Sequence, residues 1–215
     1  MATVYTIHGA IGVGKSTVLS TIKEGSEPHD LSGKYFTTVV NKKLGVTAIF
    51  PEPVHEWKET LSKFYGDKQK NTAEIQRVIL GSQARQIEEI DSIRDKVDTI
   101  LLERSAWDAK NIFVELNKEN LTDEEYKEIT AECDKLIEKL GDVVQVLVVA
   151  SKDQMVEWVL NRGLLDGVPA DEESIPYLFR VHELYRTATN PDALIWNCCP
   201  KEDLEHWIYN VLPIR

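Results

Sequence analysis

The sequence predicts an α/β fold: one parallel five-stranded sheet flanked by helices, in three layers. Two observations carry that reading. Five short apolar or β-branched runs stand out: TVYTIH (3–8), VTAIF (46–50), DTILLE (98–103), VVQVLVV (143–149) and DALIWN (192–197). Helix-like stretches separate most of them, and strands that alternate with helices form parallel sheets covered on both faces. Ligands of such sheets bind beyond the carboxyl ends of the strands. Polar residues at the strand exits are therefore the first candidates for function.

The first run leads into a Gly-rich stretch, Gly9 to Thr17, and then a helix-like run. Residues 25–45 fit either an extra helix or a hairpin. The second run ends in AIFPEPVHEW (48–57), where Pro51 and Pro53 stiffen the chain on both sides of Glu52. Asn71–Lys96 reads as one long helix: Asn71 and Glu74 have capping-box spacing, and Ile75, Val78, Ile79, Ile90, Ile93 and Val97 recur at helical intervals. Residues 122–140 form a second helix, with acids in its first turn at TDEE. Two more, 152–162 and 174–188, flank GLLDGVPADEE, whose two Gly, one Pro and four acids predict a mobile loop. No repeat or interdomain linker interrupts the chain, so 1–215 reads as a single domain with a lid at about 162–173.

The 215 residues are 42 % hydrophobic, enough for one sizeable core, and carry a net charge of −11. An acidic chain repels phosphate backbones, which argues against a nucleic acid polymer as partner. No apolar run reaches membrane-spanning length, and MATVYTIHGA lacks the charged leader and cleavage site of a signal peptide. The expectation is a cytoplasmic protein that engages no membrane. Cys133, Cys198 and Cys199 suit reduced thiols rather than a disulfide framework, and the five histidines show no metal-ligand spacing.

The strongest chemical signal is GAIGVGKST: Gly9, Ala10, Ile11, Gly12, Val13, Gly14, Lys15, Ser16 and Thr17. It matches G-x-x-x-x-G-K-[ST] between a strand and a helix, the context that gives the pattern meaning. Backbone N–H groups of such a loop curl around phosphates. The lysine reaches the β/γ-phosphates, and the hydroxyl of Ser16 binds Mg²⁺. The expected fold is thus of the P-loop NTPase type, with ATP and Mg²⁺ as cofactors. A second motif, LLERSAWDAKNIF (101–113), places Glu103, Arg104 and Ser105 at the third strand's exit. There an acid can hold Mg²⁺ or its waters, and an arginine can stabilise charge on phosphate oxygens.

Taken together, the Walker loop at 9–17, Glu-Pro-Val-x-x-Trp at 52–57, Gln76, Glu-Arg-Ser at 103–105 and DEESIP at 171–176 resemble the deoxyribonucleoside kinase family. That family includes the deoxycytidine, deoxyguanosine and mitochondrial thymidine kinases and the insect multisubstrate enzyme. The resemblance implies a kinase that transfers phosphate to the 5′-hydroxyl of a deoxynucleoside, with Glu52 as general base and Lys15 and Arg104 stabilising phosphate charge. Ser16 and Glu103 remain the metal candidates, as the two motifs indicate. Trp57 would line the nucleoside pocket. Tyr65, eleven residues before Gln76, would touch the sugar 3′-hydroxyl, and Gln76 would read the base. Gln76, Ile79 and Gln83 share one helix face at i, i+3 and i+7. Ala109 stands where the deoxycytidine kinase branch has an acid, leaving room for the 5-methyl of thymine, so a pyrimidine, and thymidine in particular, is favoured. Glu172 or Glu173 would contact the sugar 3′-hydroxyl.

The lid departs from the family pattern. Arg162 aligns with a donor-phosphate arginine, whereas Trp158 and Leu164 stand where further arginines are expected. The segment between the Walker loop and Glu52 is longer than the family norm. A homodimer is implied by the resemblance alone. Two rivals remain: a thymidylate-like nucleoside-monophosphate kinase, and a non-catalytic nucleotide-binding regulatory partner.

Overall fold

The computed structural model describes residues 1–162, 164–165, 168–169, 174–197 and 201–212. Five strands, β1 (Thr3–His8), β4 (Gly45–Phe50), β5 (Thr99–Glu103), β6 (Val144–Val149) and β9 (Ala193–Trp196), pair in parallel in the order β4-β5-β1-β6-β9. These are the five runs read from the sequence. The sheet is nevertheless seven-stranded and mixed, which corrects the expected five-stranded parallel sheet. β2 (Glu27–Ser32) and β3 (Thr37–Asn41) extend its β4 edge in antiparallel fashion. Residues 25–45 thus take the hairpin alternative. The turn into β4 is built by Asn41, whose Oδ1 accepts the N–H groups of Lys43 (2.9 Å) and Leu44 (3.2 Å), and by Gly45 at φ +70. β2 is polar and mostly exposed along its length, so no apolar alternation announces it.

Helices cover both faces. α1 (Lys15–Glu24), α6 (Lys152–Arg162), α7 (Ser174–Ala188) and α8 (Lys201–Val211) contribute to one core, around Ile7, Val18, Leu101, Val146, Val159, Val181 and Ile208. α3 (Lys68–Ile93) and α5 (Asp123–Leu140) contribute to the other, around Val4, Phe50, Ile90, Ile100, Leu102, Ile129 and Leu136. Ile100 and Leu102 face one core while Leu101 faces the other, the alternation of a strand buried on both sides.

α3 begins at Lys68, earlier than the sequence suggests, because Asp67 caps it: Asp67 Oδ1 accepts the Lys70 N–H at 3.1 Å. Asn71 caps nothing. Its side-chain amide donates to the carbonyls of Lys63 (3.0 Å) and Asp67 (2.8 Å), so the expected Asn71–Glu74 box does not form. α5 does carry a full capping box, between Thr122 and Glu125. A helix not read from the sequence, α2 (Val54–Gly66), follows Glu52 directly and buries Trp57, Leu61 and Phe64 at i, i+4 and i+7. α4 (Ala106–Asp108) follows β5 and continues as a π-helical turn over Ala109–Val114. Between α6 and α7, β7 (Leu164–Leu165) and β8 (Val168–Pro169) pair antiparallel inside the expected lid. Among the described residues no helix is long and apolar enough to cross a membrane. Burial, aided by the Asp134 charge, pushes the Cys133 thiol up to about 12, away from thiolate chemistry. Cys198 and Cys199 lie outside the described residues.

Candidate active site

The site is built where β1, β4 and β5 end side by side. After β1 the chain turns through Gly9 (φ +144), Gly12 (φ +83) and Gly14 (φ +88) into α1. A Cβ at Gly9 would meet the Val148 carbonyl oxygen at 2.5 Å, and one at Gly12 would meet Val159 Cγ2 at 2.5 Å, so only glycine fits. Gly14 caps α1 without a side-chain hydrogen bond, which leaves the first-turn N–H groups for an anion. Lys15 Nζ folds back to the Ala10 carbonyl at 3.0 Å. Asn197, at the end of β9, donates Nδ2 to the Val13 carbonyl at 2.8 Å and braces the loop from outside.

Glu103 ends β5, in register with Ile7 of β1. Its Oε1 accepts from Ser16 Oγ at 3.0 Å. A hydroxyl and a carboxylate together at a phosphate loop are the hard oxygen ligands that Mg²⁺ takes. Arg104 follows at φ +59, a left-handed conformation uncommon for a residue with a side chain. Its Nη1 donates to both oxygens of Glu52 at 2.8 Å, and Nη2 lies 3.3 Å from the Gly9 carbonyl. The guanidinium carbon sits 5.0 Å from the Phe113 ring centroid. The pair is nearly closed to solvent, with side chains 5 % (Arg104) and 12 % (Glu52) exposed. Gln86, from α3, donates to the Pro51 carbonyl at 3.0 Å and so holds the turn that presents Glu52.

Two cavities meet at this ion pair. The larger, about 970 Å³, is lined by the phosphate loop from Ile11 to Thr17 with Glu103 and Trp158. The smaller, about 40 Å³, is lined by Trp57, Tyr65, Gln76, Ile79, Gln83 and Ala109. Glu52 and Arg104 line both.

Within the smaller cavity Trp57 is fixed by its indole N–H, which donates to Ser82 Oγ at 3.0 Å. Gln76 and Gln83 are buried, and their Oε1 atoms find no hydrogen-bond partner among the described residues. Buried amides without partners call for a ligand with hydrogen-bonding edges. Leu61, Phe64, Ile75, Asp108, Phe113 and Tyr177, none of them a site residue in the sequence reading, also line this cavity. The Asp108 carboxylate is spoken for: it accepts from His8 Nδ1 (2.8 and 2.9 Å), Tyr185 OH (2.7 Å) and the Ser105 N–H (2.7 Å). Burial alone would raise its pKa, but the charge and hydrogen bond of His8, with the Arg104 charge and the Tyr185 hydroxyl, hold it below the usual range.

The β2–β3 hairpin closes the larger cavity from the far side. Glu89 of α3 accepts the N–H groups of Lys34 and Tyr35, both at 3.0 Å. Glu56 of α2 binds Lys34 Nζ (2.7 Å), Arg85 Nη2 (2.8 Å) and Tyr35 OH (3.0 Å). Arg162 closes α6, but its side chain lies outside the described residues, as do Glu172 and Glu173. Arg180 and Arg186, on α7, are exposed.

Comparison with known proteins adds three findings. Residues 31–201 match the family model described as deoxynucleoside kinase. The chain is 30 % identical over 118 residues to protein 143R of Invertebrate iridescent virus 6, named as a candidate kinase, and 27 % identical over 116 residues to 029R of Invertebrate iridescent virus 3. Those stretches cover 55 % and 54 % of this chain, which spans about half the length of these curated relatives (48 % and 47 %). Structures of deoxyadenosine kinase from M. mycoides share the fold. One, with products dCMP and a flexible dCDP, superposes at TM-score 0.68 with 18 % identity, covering 97 % of both chains. Another, with dATP, gives 0.67 with 19 % identity, covering 97 % of this chain and 98 % of that one.

Proposed function

The chain belongs to the deoxynucleoside kinase family, and on that premise we propose that it transfers the γ-phosphoryl group of ATP to the 5′-hydroxyl of a deoxyribonucleoside. The observation that carries this reading is the Glu52–Arg104 pair at the junction of a phosphate-loop cavity and an amide-lined cavity. One cavity suits the donor, the other the acceptor.

The 5′-oxygen attacks the γ-phosphorus; the new P–O bond forms as the bond to the β–γ bridging oxygen breaks, releasing ADP. Glu52 takes the hydroxyl proton. Lys15 and the loop N–H groups hold the donor phosphates, and Arg104 stabilises charge on the transferred group. Ser16 and Glu103 would hold Mg²⁺, which neutralises phosphate charge. Both Glu52 oxygens accept from Arg104 Nη1. Each Glu52 oxygen keeps a further lone pair for the hydroxyl proton, so Arg104 orients the base without blocking it.

Trp57, Tyr65, Gln76, Ile79, Gln83 and Ala109 enclose the nucleoside. Gln76 offers a donor and an acceptor side by side, matched to a pyrimidine edge. Ala109 leaves room for a 5-methyl group, and the saturated Asp108 beside it offers no free acceptor to an exocyclic amine. Thymidine is accordingly the favoured substrate. By the family resemblance, Arg162 would contact the donor phosphates and one of Glu172 and Glu173 the sugar 3′-hydroxyl. We read the protein as cytoplasmic, from cysteines that suit reduced thiols, and as a homodimer, from the family resemblance alone.

A phosphorylated acceptor, as in a nucleoside-monophosphate kinase, needs cations around its phosphate. Among the described residues lining the smaller cavity Arg104 is the one cation, and it faces Glu52. The deciding experiment offers four deoxynucleosides and thymidylate, each with Mg-ATP, and identifies products by mass. Deoxynucleoside 5′-monophosphates are expected; thymidine diphosphate as the sole product would replace this reading with the monophosphate kinase.

A further inference from the structure

Below the Arg104 turn lies a buried polar cluster that the transfer reaction leaves unused. Thr6 Oγ1 pairs with His8 Nε2 at 2.7 Å, His8 Nδ1 with Asp108, and Tyr185 OH with Asp108. Asp108, His8, Thr6 and Tyr185 are each no more than 2 % exposed. The cluster joins the end of β1, the end of α4, and α7. We propose that Asp108 is a positioning residue for Arg104: its carboxylate, held by His8 and Tyr185, fixes the left-handed turn from which Arg104 reaches Glu52.

The geometry ties Asp108 to both anchors of Arg104. The backbone immediately after Arg104 is held by the Ser105 N–H bond to Asp108 Oδ2 at 2.7 Å. His8, bonded to the same carboxylate, is the residue before Gly9, whose carbonyl receives Arg104 Nη2. The backbone N–H of Arg104 itself donates to the Ile7 carbonyl at 3.1 Å. One carboxylate thus locks β1 and the turn after β5 in register on both sides of the guanidinium. Capping a helix turn does not call for a charge; Ser, Thr or Asn would serve, and a buried carboxylate costs desolvation. A negative charge kept beneath the turn is attracted to the Arg104 guanidinium, which a neutral cap would not be.

This inference rests on Arg104 serving phosphoryl transfer, so the test is a double-mutant cycle on the full chain with Mg-ATP and the preferred deoxynucleoside. Arg104→Gln should lower kcat by roughly 10²-fold, the scale of a lost charge-stabilising group. Asp108→Asn should lower kcat by about 10-fold with KM nearly unchanged, and the double variant should be no slower than Arg104→Gln alone. A purely structural Asp108 would give a double variant slowed by the product of the two effects, which would overturn the proposal, as would an unchanged kcat in Asp108→Asn. If Asp108→Asn does not fold, Tyr185→Phe, which removes one bond to the carboxylate, takes its place. It should lower kcat by about 3-fold and show the same loss of additivity. Wild-type kcat in Arg104→Gln would sink the assigned role of Arg104 itself, and the inference with it.

Discussion

Lys15 lies 5 % exposed, with its Nζ at the Ala10 carbonyl. The role proposed for its charge is to hold the donor phosphates. Lys15→Ala should therefore abolish transfer while the thermal midpoint stays near wild type; retained turnover would place the triphosphate elsewhere. Ala109 is buried in the smaller cavity beside the saturated Asp108. Ala109→Asp should crowd a 5-methyl group and add a second charge, so thymidine should lose more kcat/KM than deoxycytidine, by roughly 10-fold or more. An unchanged ranking would remove Ala109 from substrate selection. The lining residues legible in the sequence, such as Lys15, Ser16, Glu52 and Glu103, sit in short local patterns. Asp108 is not legible: its chief partner, His8, is 100 positions away, and nothing in either neighbourhood announces the pair. Asn197 escaped for the same reason, reaching Val13 across 184 positions.

At the level of elements, the five apolar strands are legible because burial on both faces leaves continuous apolar runs. The β2–β3 hairpin is not, since its outer strand is polar and its position is fixed by side chains of α2 and α3. That clamp titrates. Burial opposes ionisation of Glu56, but bonds from Lys34, Arg85 and Tyr35 outweigh it and hold the carboxyl down at about 2. A depressed folded pKa contributes stability above the unfolded value of 4.5 that is lost as pH falls toward 2. Wild-type protein should thus lose thermal stability over that interval faster than Glu56→Gln, whose profile should be flatter. Parallel profiles would show that the clamp contributes nothing. The start of α3 was misplaced because Asn71 and Asp67 both suit an N-cap, and only the fold shows that Asp67 has the free approach to the Lys70 N–H.

Across the whole molecule, the exits of three adjacent parallel strands deliver Gly9, Glu52 and Glu103 to one place. The parallel order β4-β5-β1 does this without any long-range design beyond the sheet itself, because side-by-side strands end side by side. α2 and α3, packed against each other, line the smaller cavity, and Glu52 and Arg104 border both cavities. The most direct measurement is steady-state transfer from Mg-ATP to the preferred deoxynucleoside by wild type and Glu52→Gln. The amide keeps the size of the carboxylate and can still hydrogen-bond the 5′-hydroxyl, but it cannot take the proton. A fall in kcat of roughly 10²–10⁴ with KM changed only a few-fold is expected; wild-type kcat in Glu52→Gln would contradict the placement of the base at the meeting point of the two cavities.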